Sequence, residues 1–184
     1  MAGHNKWTQI KRQKAVTDGK KSKIFSKFSR LLTLESKRVA GNKNSPGLKA
    51  IIDQAKSFNM PNDNIERAIK KGVGGESGNL EKITYEAYGP EGAALVIEAL
   101  TDNRNKAASE IKHILTNHAA SLGAIGSALW AFTKSESGLE ATTTVPLSLS
   151  GAESLVKLID ELEENDEVQE VFTNGEFPES FERK

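Results

Sequence analysis

The chain has 184 residues, of which 37% are hydrophobic and 27% charged, with no cysteine and a formal net charge of zero. That mixture is globular and rather polar, with room for one large or two small domains; it excludes disulfides and thiolate metal sites. The zero conceals a split, because residues 1–71 hold 17 Lys+Arg against 5 Asp+Glu, whereas residues 72–184 hold 8 against 20. Opposite halves of this kind predict two domains and a polyanion partner for the basic one. Met1–Trp7 has no apolar core of a secretory leader, and Glu98 cuts the longest apolar run, Ala93–Ile97. No stretch approaches the ~20 residues that span a bilayer, so a soluble cytoplasmic protein without membrane contact is expected.

The first predicted helix runs from about Lys20 to Ala40. Ile24, Phe25, Phe28, Leu31, Leu32 and Val39 recur at helical spacing, and Lys23, Lys27, Arg30 and Lys37 fall together on the far side, with Leu34 among them. Gly41-Asn42 ends this helix and Asn44–Gly47 forms a loop. A second helix is expected over Leu48–Phe58 and a third from Pro61, closed by Gly72 in a left-handed cap. Gly72–Gly78 reads as a flexible joint; its slight likeness to a phosphate loop lacks the Gly-Lys-Ser/Thr that such loops require.

Beyond the joint, Lys82–Tyr88 and Ala93–Thr101 are predicted strands joined across Gly89–Gly92. Arg104–His118 is a helix, Ser127–Thr133 alternates around Trp130 and Phe132 as a core strand, and Thr142–Leu147 is a further strand. Ser150–Glu153 has the form of a capping box opening a helix, and Val168–Thr173 is the last strand. The predicted fold is therefore α+β. A basic helical domain, residues 1–75, precedes an acidic ferredoxin-like β-α-β-β-α-β domain, residues 79–178, with Lys82–Tyr88 as an extra hairpin strand.

Function is sought first in the basic run. Lys6, Lys11, Arg12, Lys14, Lys20, Lys21, Lys23, Lys27 and Arg30 lie within 25 positions, opposed only by Asp18. Crowded cations repel one another, and phosphates relieve that repulsion while releasing counterions. Trp7 lies among them, equally suited to stacking on a base or to packing against the domain. Other candidates have plainer explanations. Asp102 or Asn103 can cap the helix that follows, with Arg104 near its free amides. Glu161, Glu163, Glu164, Asp166 and Glu167 suit a solvated helix end better than a metal or nuclease site. His113 and His118 are five apart, not the four that aligns two imidazoles. No cofactor, metal site or catalytic constellation is expected, and the chain reads as a non-enzyme.

Several segments resemble the YebC family, also called DUF28. They are Met1–Trp7, Lys23–Lys27, Asn59–Gly72, Tyr85–Gly92, Leu100–Asn105, Gly123–Ser127, Thr143–Leu147 and Val168–Asn174, covering nearly the whole chain in order. The resemblance implies a helical N-terminal domain followed by α/β domains, with nucleic-acid contact on the basic N-terminal surface. It further implies a DNA-binding transcriptional regulator, or, as some relatives act, a translation factor on RNA or the ribosome. Typical members insert a third domain between the Trp130–Phe132 and Thr143 segments, where only residues 134–142 stand here. Arg12 replaces a histidine often found after the first Ile-Lys.

The expected function is regulation through nucleic-acid binding by Lys6, Trp7, Lys11, Arg12, Lys14, Lys20, Lys21, Lys23, Lys27 and Arg30. DNA is the first partner and RNA or the ribosome the alternative. A rival of another class is self-association, in which the acidic half covers the basic half within or between chains.

Overall fold

The computed structural model describes residues 18–75, 78–135 and 138–182. It forms two compact units: one comprises the helical residues as far as Lys82 together with Leu100–Arg104, the other residues 83–99 and the chain from Asn105 onward. The architecture is α+β, as the sequence predicts.

The helical unit contains α1 (Asp18–Arg38), α2 (Pro46–Ser57) and α3 (Asn62–Val73). The apolar stripe of α1 faces inward as its spacing requires: Phe28 and Leu32 are buried with Leu48, Ala55, Met60, Ile65, Ala68 and Ile69. The helix ends where Ala40 and Gly41 enter left-handed conformation and the Gly41 amide donates back to the Ser36 carbonyl at 2.9 Å. Ser45 caps α2, its hydroxyl accepting from the Leu48 amide at 3.4 Å, so α2 begins at Pro46, two residues before the expected start. Asn59 turns the chain into α3 with φ 61°, a conformation asparagine tolerates better than most residues.

Gly72 does not cap α3. It is buried inside the helix, and Gly74 follows at the C-cap with an ordinary φ of −75°. The reason is contact with α1. A Cβ on Gly72 would stand 2.4 Å from the Thr33 carbonyl oxygen, 2.8 Å from Ser36 Cβ and 3.0 Å from the Lys37 amide nitrogen. The same crossing is fastened by hydroxyls: Ser36 Oγ donates to the Ile69 carbonyl at 2.8 Å, and Thr33 Oγ1 lies 3.2 Å from the Ala68 carbonyl. Thr33 and Ser36 read as ordinary helix positions in the sequence; here they fasten one helix to another.

The second unit is built on a sheet of order β3-β1-β2-β7, from β1 (Glu81–Tyr88), β2 (Ala94–Thr101), β3 (Ser121–Leu122) and β7 (Val168–Thr173). β7 runs antiparallel to β2, pairing Leu95 with Thr173 and Ile97 with Val171. β2 is covered on both faces, which explains its nearly continuous apolar sequence. Leu95, Ile97 and Ala99 pack in one core with α4 (Arg104–Asn117) and α5 (Leu149–Glu164), through Ile111, Leu115, Leu155, Leu158, Ile159 and Leu162. Ala94 joins a small cluster with Ala128 and Ala131. Asn174 binds β2 to a distant loop, its side chain accepting from the Ala94 amide at 2.7 Å and donating to the Thr143 carbonyl at 3.0 Å.

Three expected features take other forms. The predicted strand over residues 127–133 is a 3-10 turn, Leu129–Ala131, followed by β4 (Phe132–Ser135). Trp130 is 62% exposed instead of buried, with its indole N–H donating to the Ser127 carbonyl at 2.8 Å. The alternation fails because Ala128 and Ala131, a turn apart, are the buried positions. β4 pairs with β5 (Gly138–Ala141) as a separate hairpin, from Phe132–Ala141 to Ser135–Gly138. Of residues 142–147 only β6 (Val145–Pro146) is extended and paired, lying parallel to β8 (Gly175–Glu176). The place beside β2 that a ferredoxin-like sheet gives to that strand is taken by β1. Finally, the cap of α5 is Ser148, not Ser150; its hydroxyl accepts from the Gly151 amide at 3.0 Å. The Glu91 carboxylate accepts from the Ser148 amide and hydroxyl at 2.8 and 2.6 Å, and those bonds hold it below the usual carboxylate range.

The turn at residues 126–131 is organised by Glu86. This buried carboxylate accepts the backbone N–H groups of Gly126, Ala128 and Leu129 at 2.6 to 2.7 Å. Burial pushes its pKa up, but the three amides outweigh that and leave it below the ordinary value.

Two outcomes follow from these contacts. Gly72→Ala forces apart the α1–α3 crossing and should destabilise the chain by ~1–3 kcal/mol in urea unfolding; an unchanged midpoint would mean the helices do not meet this tightly. Glu86→Gln leaves buried amides poorly matched and should cost about 1–3 kcal/mol near neutral pH. Because the folded carboxyl has the lower pKa, its stabilisation is complete above the unfolded value of about 4.3 and is lost as pH falls through the folded one. The gap between wild type and Glu86→Gln should therefore narrow in acid, and a gap constant with pH would count against the amide cage.

Candidate nucleic-acid interface

Helix α1 sets the geometry of the basic face. Lys20, Lys23, Lys27 and Arg30 are spaced three, four and three residues apart and so fall on one stripe. At 1.5 Å per residue the stripe is about 15 Å long. Lys21 and Lys23 are exposed, while Lys20, Lys27 and Arg30 are half-buried. The other candidates, Lys6, Trp7, Lys11, Arg12 and Lys14, lie outside the described residues.

Arg30 is set apart from the lysines. Its Nη1 donates to the Leu100 carbonyl at 3.0 Å, within the helical unit. It also lines a cavity of about 500 Å³ between α1 and α3, whose wall includes Arg67 and Lys71 from α3 and Asp102. Sequence reasoning did not single out Arg67 and Lys71. Their separation of four residues places them on one face of α3. Nothing in the sequence says that this face meets α1, and the Gly72 contact decides it.

Other cations are already neutralised nearby. Arg38 is bound to Glu35 through two bonds of 2.9 and 2.6 Å, and Lys43 to Glu66 at 2.6 and 2.7 Å. Hydrogen bonds from Arg38 and Lys43 hold these two carboxyls below their ordinary pKa. Such exposed pairs add little stability.

The remaining candidates are structural. Arg104 is paired with Glu81 at 2.8 Å, and Thr101 Oγ1 accepts from the Asn103 amide at 2.9 Å. The acidic residues near the end of α5 do not converge. Glu161 contacts His118 at 2.5 Å, whereas Glu167 is buried with Lys106 at 3.4 Å. His113 lies against Asn117 at 3.3 Å. Among the described residues no helix is long and apolar enough to cross a membrane.

Comparison with known proteins assigns the fold to a lineage. The sequence signature of the TACO1/YebC protein N-terminal domain matches residues 5–75, and that of the TACO1/YebC second and third domain matches residues 80–137. The chain belongs to the TACO1/YebC family. It is 48% identical over 136 residues to "Probable transcriptional regulatory protein Teth39_1009" of Thermoanaerobacter pseudethanolicus, covering 73% of this chain and 55% of that one. A "Probable transcriptional regulatory protein" of Hahella chejuensis is 33% identical over 239 residues, covering 97% of this chain and 96% of the relative. The crystal structure of a conserved hypothetical protein, Aq1575 of Aquifex aeolicus, superposes with a TM-score of 0.84 at 28% identity. That superposition covers 94% of this chain and 100% of the other.

The chain spans about half the length of several curated relatives it matches. The Hahella alignment, at 239 residues, is longer than the 184-residue chain, so that relative carries residues with no counterpart here. The second signature stops at residue 137, within the segment 134–142 where the resemblance places the insertion of typical members. The β4–β5 pairing joins the two sides of that point directly.

Proposed function

We propose that the protein is a transcriptional regulator that works by binding DNA, not by catalysis, through the basic face of its helical unit. The supporting observation is the α1 stripe of Lys20, Lys23, Lys27 and Arg30, continuous in sequence with the basic run of residues 6–14. The names of its relatives, regulatory proteins of transcription, agree with this reading. A helix bearing cations on one stripe can follow the phosphates of one strand, and each phosphate neutralised releases counterions. The acidic C-terminal half, with 20 Asp+Glu against 8 Lys+Arg, is repelled by the same polyanion and so favours approach by the basic face. Such contacts position a protein on a duplex without reading its sequence, so discrimination among sites is expected to come from DNA shape.

Binding to duplex DNA should weaken steeply with salt. With about six phosphate contacts, the slope of log affinity against log salt is near −5. Replacing Lys23 and Lys27 together by glutamine should make that slope less negative by about 2 while leaving the fold intact, as judged by circular dichroism. Fluorescence anisotropy across a salt series measures both values. A flat response in the parent chain, or an unchanged slope in the double variant, would remove the proposal.

A further inference from the structure

The cavity between α1 and α3 is more than a seam in the helical unit. On α1 it is lined by Ser22, Ser26 and Ser29, spaced four and three residues apart, so three hydroxyls stand in a row. Helical serines commonly satisfy themselves on the carbonyl four residues back. Among the described residues these three hydroxyls have no hydrogen-bond partner. Opposite them, Asn64, Arg67 and Lys71 are spaced three and four apart on one face of α3. Arg67 and Lys71 make no ion pair among the described residues.

The composition of this wall is specific. Three cations, Arg30, Arg67 and Lys71, face a single carboxylate, Asp102, so the cavity favours an anion. A guanidinium and an ammonium side by side suit a phosphate. A bare phosphate, however, leaves the hydroxyl row unused and sets Asp102 against it. A ligand with its own hydroxyl or amino donors uses Asp102 and the serines as well. Phe25 adds aromatic surface to the same cavity, on which a flat ring can lie. The volume of about 500 Å³ falls within the range of small-ligand sites.

We infer that this cavity receives one nucleoside monophosphate unit, its phosphate held by Arg67 and Lys71, its sugar by the Ser22–Ser26–Ser29 row and its base near Phe25 and Asp102. The unit has two possible sources, a free nucleotide or a single unstacked nucleotide of a strand. The strand-borne form rests on the DNA-binding reading above; the free form does not.

The test is calorimetric titration of the full chain with each of the four common ribonucleoside monophosphates and, separately, with inorganic phosphate. At least one nucleotide should bind more tightly than phosphate. Arg67→Ala and Lys71→Ala should each weaken it by roughly tenfold or more, the scale of a lost charge-assisted hydrogen bond. Ser26→Phe fills the cavity without changing charge and should abolish the binding. Lys70→Ala removes an equal charge from the same helix at a position that does not line the cavity, and should have less than about a twofold effect.

A second arm titrates a labelled single-stranded oligonucleotide and a duplex. Loss of strand binding in Ser26→Phe with duplex binding retained identifies a strand nucleotide as the source. Nucleotide binding that no oligonucleotide displaces identifies a free one; both outcomes support the site. The inference is overturned if no nucleotide binds above phosphate, if Ser26→Phe binds as the parent does, or if Lys70→Ala weakens binding as much as Arg67→Ala. Failure of the duplex reading would appear separately, as a flat salt response in the parent chain.

Discussion

The close crossing of α1 and α3 governs the helical unit. Gly72 admits the Thr33 carbonyl to a distance at which any side chain would collide, and Ser36 and Thr33 reach carbonyls of α3. Two helices brought this near by small residues cannot slide without breaking buried hydrogen bonds. Their mutual position is thereby set. Because of it, Arg67 and Lys71 come to face Ser26 and Arg30 across one cavity. The cationic face of the unit is a property of the pair and not of α1 alone.

A comparable device organises the second unit. There the constraint is electrostatic: a buried carboxylate, Glu86, gathers three backbone amides from a turn about forty residues away. Such a group is expensive to bury alone but well accommodated when its oxygens are satisfied. The turn it holds displays Trp130 to solvent at 62% exposure, and Ile125, just before it, is 99% exposed. The same economy recurs at Glu91, whose carboxylate sits beside Ser148 at the start of α5. Both glutamates fall in the Tyr85–Gly92 segment, so one short motif serves two distant turns.

Much of the architecture was readable from residue patterns. The stripe of Ile24 to Val39 was long and periodic enough to locate α1 within two residues at each end. The continuous apolar run of β2 and the segment Val168–Thr173 mark two strands that pair antiparallel in the sheet. In residues 127–133 the alternation of large and small residues imitates a strand. Only the Glu86 carboxylate, remote in sequence, makes that segment a turn. A glycine after a helical run, such as Gly72, usually serves as a cap; its role here as a point of helix contact depends on a partner that local sequence does not name.

The sequence alone determined the charge division, the family, the helices of the basic half and the α+β class. The family is carried by the resemblance of short segments such as Asn59–Gly72 and Tyr85–Gly92, and the rest by composition and by periodicities of two and 3.6 residues, which are local. Tertiary structure decided which cations share a cavity, that Arg30 turns toward the Leu100 carbonyl, and that Trp130 faces water. The first two are contacts between residues far apart along the chain, and the third follows from the turn that the distant Glu86 carboxylate holds. Such contacts are selected by packing and by satisfaction of buried polar groups, which a linear pattern does not contain.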